Sequence, residues 1–121
     1  MSESSLPILL VEDDPIVLES TACVLADGGC EVRRATSLDE AMAALAEGPL
    51  PVVLVTDISL AGDRSGLDLA RTVAERWPEV KLLIVSGAHR PPPEDYPEGA
   101  LFFTKPYAQG ALLTMVKDRA W

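Results

Sequence analysis

The chain has 121 residues, the size of one ordinary domain. Of these, 48% are hydrophobic and 24% charged, enough for one core and far from the composition of a disordered chain. The formal net charge of −9 opposes binding to phosphate backbones and anionic membrane surfaces, which excludes nucleic acid and membrane as partners.

Met1–Ser5 is polar and short and reads as a frayed, disordered end, leaving residues 6–121 as a single domain. The start lacks the basic-then-apolar layout of a signal peptide, and no apolar run nears the ~18–20 residues that span a bilayer. These features give a cytoplasmic reading. Pro7–Val11 (PILLV) is a continuous apolar run without alternation, as in a strand covered on both faces. Asp14-Pro15 then supplies a helix cap and a proline at the first helical position. That helix runs to about Asp27, where Gly28-Gly29 stops it. Cys30–Ala35 reads as a short second strand. Cys23 and Cys30 stand at no metal-ligand spacing and read as buried, reduced core thiols.

Ser37–Glu40 forms a capping box, with glutamate three residues after the serine. The second helix carries Leu38, Ala41, Met42 and Leu45 on one face and ends at Gly48-Pro49. Pro51–Thr56 (PVVLVT) is a third strand, ending at Asp57. Ser65–Asp68 repeats the serine-to-acid start signal, and Leu67, Ala70, Val73, Ala74 and Trp77 follow at helical spacing until Pro78. Lys81–Val85 (KLLIV) is a fourth strand leading into Ser86-Gly87. Pro91, Pro92, Pro93 and Pro97 leave room for only a short fourth helix. Ala100–Thr104 is the fifth strand, followed by Lys105-Pro106. The last helix covers about Ala108–Arg119, buries Leu112, Leu113 and Val116, and is weakened in its first turn by Gly110. The strict alternation of strand and helix predicts an α/β fold with a parallel sheet and helices on both faces.

Ligands of such sheets bind beyond the carboxyl ends of the strands. The residues there are Glu12-Asp13-Asp14, Asp57, Ser86-Gly87 and Lys105. Taken singly, the acids after strand one could simply serve the helix start, Asp57 and Ser86-Gly87 could be turns, and Lys105 ordinary surface. Taken together they form a constellation. Carboxylates gathered at one place repel each other unless a cation joins them. The oxygen-only donors favour Mg²⁺, with Mn²⁺ as the alternative, and no His or Cys lies there for zinc or copper. A carboxylate between such an ion and Lys105 can act as a nucleophile toward phosphorus.

In this order, ILLVEDD at 8–14, LVTDISLAG at 54–62, SGLDLA at 65–70, LLIVSG at 82–87 and FFTKPY at 102–107 resemble the receiver domain of bacterial two-component response regulators. The resemblance is to the single-domain, chemotaxis-regulator-like kind and runs from Ile8 to about Arg119. It implies a flavodoxin-like, doubly wound five-stranded parallel sheet of order 2-1-3-4-5, a (βα)5 three-layer sandwich. It also implies roles. Asp57 is the phosphoacceptor. Asp13 contacts Mg²⁺ directly, Glu12 acts through water, and the Ser59 backbone carbonyl completes the set. Asp14 is either a further ligand or mainly the helix cap. Ser86 is the hydroxyl that moves to the phosphoryl group, Lys105 the lysine that binds it, and Phe102 the switch aromatic. The Lys105-Pro106 bond is often cis in the family.

The implied function is a phosphorylation-dependent switch. Its donor is a histidine kinase or histidine phosphotransfer protein, and its target is a further protein. On this reading the chain would carry no output domain and would act as a monomer or as a phosphorylation-promoted dimer. It would hydrolyse its own acyl phosphate slowly but would not be a free-standing metabolic enzyme. The competing readings are a phosphorylation-independent binding module and a small Mg²⁺-dependent phosphatase. The second is disfavoured because Ser59 stands where such enzymes place a second acid.

Two departures from the pattern stand out. The loop from Asp57 to Gly66 is one position longer than is usual for the family, so Asp63 or Arg64 could reach the site. The prolines at 91–97 replace a well-formed fourth helix, on the face from which the family is read by its targets. His89, the only histidine, reads as an exposed loop residue.

Overall fold

The computed structural model describes residues 5–60, 65–87 and 91–118. The elements run β1 (Leu6–Val11), α1 (Pro15–Asp27), β2 (Cys30–Ala35), α2 (Leu38–Glu47), β3 (Val53–Asp57), α3 (Ser65–Arg76), β4 (Lys81–Ser86), a 3₁₀ turn (Pro93–Asp95), β5 (Leu101–Thr104) and α4 (Gln109–Asp118). All neighbouring strands are parallel, in the order β2-β1-β3-β4-β5.

The unbroken apolar runs become the central strands for a physical reason: they are covered on both sides. Leu9, Val11, Leu54, Leu82 and Ile84 pack on one face with Ala41, Leu45, Leu67, Ala70 and Val73 of α2 and α3. Ile8, Leu10, Val53, Val55, Leu83 and Val85 pack on the other with Leu18, Ala22, Leu25, Leu112 and Val116 of α1 and α4. The sheet is thus the middle of three layers, and the alternation of side chains along a strand feeds two cores. The edge strands β2 and β5 are less buried.

The helix starts follow local chemistry. Asp14 Oδ1 accepts the N–H groups of Ile16 (2.9 Å) and Val17 (3.3 Å), with Pro15 at the first helical position. Ser37 Oγ accepts the Glu40 N–H at 3.1 Å, as a capping box requires. The Glu40 carboxylate, however, returns to Thr36, accepting its N–H at 2.7 Å and its hydroxyl at 2.9 Å. These bonds hold the Glu40 carboxyl below its ordinary range.

Three expectations need correction. Only Cys30 is a buried thiol. Cys23 is exposed, because α1 buries the line Leu18, Thr21, Ala22 and Leu25, and Cys23 falls off that line. The third strand begins at Val53 instead of Pro51, since proline has no N–H to give the ladder. Among the described residues the fourth crossover contains no α-helix, only the 3₁₀ turn at Pro93–Asp95, so the sandwich has four α-helices. The expectations for residues 1–4, Asp63, Arg64, His89 and Arg119 lie outside the described residues.

Candidate functional site

The strand order reverses beside β1, so a crevice opens beyond the carboxyl ends of β1 and β3. Asp57 is the last residue of β3 and is 8% exposed. Its backbone is fixed from two sides. The Thr56 hydroxyl donates to the Asp57 carbonyl at 2.9 Å, and the Ile58 N–H donates to Val85 O at 2.9 Å. Its two carboxylate oxygens have different partners. Oδ1 accepts the Ser59 N–H at 3.3 Å, and Oδ2 accepts Lys105 Nζ at 2.6 Å.

The same ammonium donates to Glu12 Oε1 at 3.4 Å. Glu12 directly follows β1 and is buried, and its Oε2 accepts the Asp14 N–H at 3.2 Å. Lys105 arrives from beyond β5, and its own N–H donates to Ser86 O at 2.7 Å. Side chains from three strand ends therefore meet on one ammonium. The charges respond to this crowding. Burial pushes the Glu12 carboxyl up; the Asp14 N–H and Lys105 pull it back, and the charge of Asp57 adds to the rise. Burial alone would depress Lys105, but its bond to Asp57 and the fields of both carboxylates carry it above the usual lysine value.

The remaining expected residues are placed as follows. Ser86 ends β4 and is buried, opposite Thr104 in register. Asp13 is exposed beside Glu12. Asp14 caps α1. Ser59 contributes its N–H to Asp57, as above, and is itself exposed. Phe102 is half-buried in β5 and packs on Tyr96, ring centroids 5.3 Å apart. The Lys105-Pro106 peptide is cis, and so is Gly48-Pro49.

Among the described residues, no three His, Cys, Asp or Glu side chains are already gathered to hold an ion. The available donors are nonetheless all oxygen: Glu12, Asp57 and the exposed Asp13. That set fits Mg²⁺, which keeps much of its own water and takes one or two carboxylates.

Four further residues shape the site without having been singled out for it. A Cβ at Gly66 would overlap the Asp57 carbonyl, and the Gly66 N–H donates to Ile58 O at 2.9 Å. A glycine in a helical first turn costs about 1 kcal/mol against alanine, which was the available signal. Thr21, Tyr107 and Gln109 join α1 to the segment carrying Lys105. Thr21 was legible only as a hydroxyl on an otherwise apolar helix face.

Residues 8–117 match the response regulator receiver domain. The chain belongs to that family, the receiver domains of two-component response regulators. It is 36% identical over 81 residues to the nitrogen assimilation regulatory protein NtrX of Azorhizobium caulinodans, a match covering 66% of this chain and 18% of that protein. It is 31% identical over 108 residues to a response regulator receiver protein of Anaeromyxobacter sp., covering 88% of this chain and 42% of that one. The chain thus spans less than half the length of either relative. Its fold matches the crystal structure of a response regulator receiver protein from Sinorhizobium medicae with a TM-score of 0.85. That match has 27% identity and covers 97% of this chain and 95% of the other.

Proposed function

We propose that this chain is a phosphorylation switch in which Asp57 accepts a phosphoryl group from a phosphohistidine. The donor is a histidine kinase or a histidine phosphotransfer protein. The reading rests above all on Lys105 Nζ standing 2.6 Å from a buried acceptor carboxylate at the mouth of the sheet. Asp57 Oδ1 is held by the Ser59 N–H, so the carboxylate is oriented before any donor arrives. Oδ2 forms the new bond to phosphorus as the bond from phosphorus to the histidine nitrogen breaks. Lys105 then moves from the carboxylate oxygen to a phosphoryl oxygen, and its charge follows the charge being transferred.

Glu12, Asp13 and Asp57, with the Ser59 carbonyl and with Asp14 as a further candidate, would hold Mg²⁺ or Mn²⁺. A bound ion supplies neutralisation of the transferring oxygens. The acyl phosphate adds about −1.5 to −2 of charge. Ser86 and Lys105 are drawn toward it, and Phe102 with Tyr96 repacks, shifting a two-state equilibrium that a target protein reads. Slow self-hydrolysis resets the switch. Among the described residues no helix is long and apolar enough to cross a membrane. We place the switch in the cytoplasm with its donor.

Incubation with acetyl phosphate and Mg²⁺, followed by intact mass, tests the reading. The wild type should gain one phosphoryl group, Asp57→Asn none, and Lys105→Ala should gain it far more slowly. A wild type that takes no label at any Mg²⁺ concentration would leave a binding module that works without phosphorylation.

A further inference from the structure

Lys105 reaches Asp57 from a stretch, 105–108, that belongs to no strand or helix. Its backbone N–H is fixed to Ser86 O of β4 at 2.7 Å, and the cis Pro106 that follows has no N–H to offer. The outer side of this stretch is held by α1. Gln109 Nε2 donates to Ser20 Oγ at 2.8 Å and to Thr21 Oγ1 at 3.0 Å. Tyr107 lies edge-on against Phe103, ring centroids 5.8 Å apart, and its phenol stands near the Thr21 hydroxyl. Burial raises the phenol, while the Thr21 hydroxyl and the charge of Lys105 pull it back, so the ring stands within the field of the acceptor site.

Thr21 is 1% exposed and shares its helix face with Leu18, Ala22 and Leu25. A buried hydroxyl needs a partner, and in mid-helix the nearest one is usually the carbonyl one turn back. Here its hydrogen-bond partner is Gln109, the first residue of α4 and four residues beyond Lys105, with Tyr107 of the loop beside it. A lysine side chain has several rotatable bonds, so where its ammonium dwells depends on how firmly its backbone is anchored.

We propose that Thr21, bonded to Gln109, is a positioning residue for Lys105: α1 holds the 105–109 segment so that the ammonium dwells on Asp57. The kinetic consequence rests on Asp57 being the phosphoacceptor. The geometric consequence does not.

Two readouts on the full chain separate these. The first is amine footprinting with an acylating reagent and peptide mass spectrometry, which compares Lys105 with Lys81 and Lys117, the other two lysines. The second is the rate of Asp57 labelling by acetyl phosphate with Mg²⁺. Thr21→Val keeps the shape and removes the hydroxyl. In it Lys105 should acylate several times faster, with Lys81 and Lys117 unchanged, and Asp57 should label about tenfold more slowly. Thr21→Ser should restore both. Gln109→Leu breaks the same link from the half-exposed end and should reproduce the effect should Thr21→Val fold poorly. An unchanged Lys105 in both variants overturns the proposal. So does equal acceleration of all three lysines, or a Thr21→Ser that behaves like Thr21→Val. Absence of labelling in the wild type overturns the acceptor reading instead, and the footprint still decides whether the link positions Lys105.

Discussion

At Lys105 one ammonium faces two buried carboxylates, and the imbalance has a cost that can be measured. Glu12 is buried, bonded to Lys105 at 3.4 Å and repelled by Asp57, and its carboxyl is pushed up mainly by burial. The unfolded chain therefore releases this proton at the ordinary glutamate value of 4.5, before the folded protein does. From there up to the raised folded value the native state binds more protons, so stability falls as pH rises, and the loss persists at neutral pH. Glu12→Gln keeps an acceptor for Lys105 or the Asp14 N–H and removes the charge. In metal-free buffer at pH 7 it should stabilise the fold by about 1 kcal/mol, a melting temperature gain of about 4 °C. Below pH 4.5 the gain should vanish. Thermal melts across pH decide the matter: a variant no more stable than wild type at pH 7, or equally favoured in acid, rejects this account of the charge cluster.

At the level of elements, legibility tracked how local the determining chemistry is. The central strands were readable because burial on both faces leaves no polar residue to interrupt the run. The starts of α1 and α2 were readable because Asp14 and Ser37 bond within their own first turn. The segment between β4 and β5 was not, because its shape is imposed from elsewhere. Proline denies it an α-helix, and a neighbour fixes what remains. Arg71 of α3 donates from Nε to Asp95 O at 2.9 Å while its Nη1 pairs with Asp68 at 3.2 Å. The Asp95 N–H in turn donates to Pro92 O at 2.9 Å, and the next residue, Tyr96, packs on Phe102. Nothing in the local sequence announces a tether from α3. Removing it should loosen this segment and little else, because an exposed bond of this kind contributes about 0.5–1 kcal/mol. For Arg71→Ala, hydrogen exchange should accelerate at Glu94–Tyr96 and at Phe102 while β1 and β3 stay protected. Equal protection in variant and wild type would mean that Arg71 does not hold the turn.

At the scale of the whole molecule, four of the five strands, β1, β3, β4 and β5, deliver polar residues to the carboxyl end of the sheet, and a net charge of −9 surrounds them. The residue types of the site were legible because acids and a lysine immediately follow apolar strands. The contacts that orient them were not, because Gly66 on Asp57 and Thr21 under the Lys105 loop depend on helices packing from opposite layers. The excess of carboxylate over ammonium at the crevice makes a general prediction about cation binding. An ion that binds the folded site and not the unfolded chain adds stability by mass action, about 2.7 kcal/mol at a hundred times its dissociation constant. Mg²⁺ should therefore raise the melting temperature of the wild type in a saturable way, and a chelator should reverse it. Sodium chloride at matched ionic strength should give only the smaller, unsaturating gain expected from screening. Asp13 is exposed and lies outside both cores, so Asp13→Asn should melt close to wild type without Mg²⁺ yet lose the Mg²⁺-dependent gain. If Mg²⁺ stabilises no more than matched salt, or if Asp13→Asn keeps the full gain, the carboxylates at these strand ends do not hold the ion.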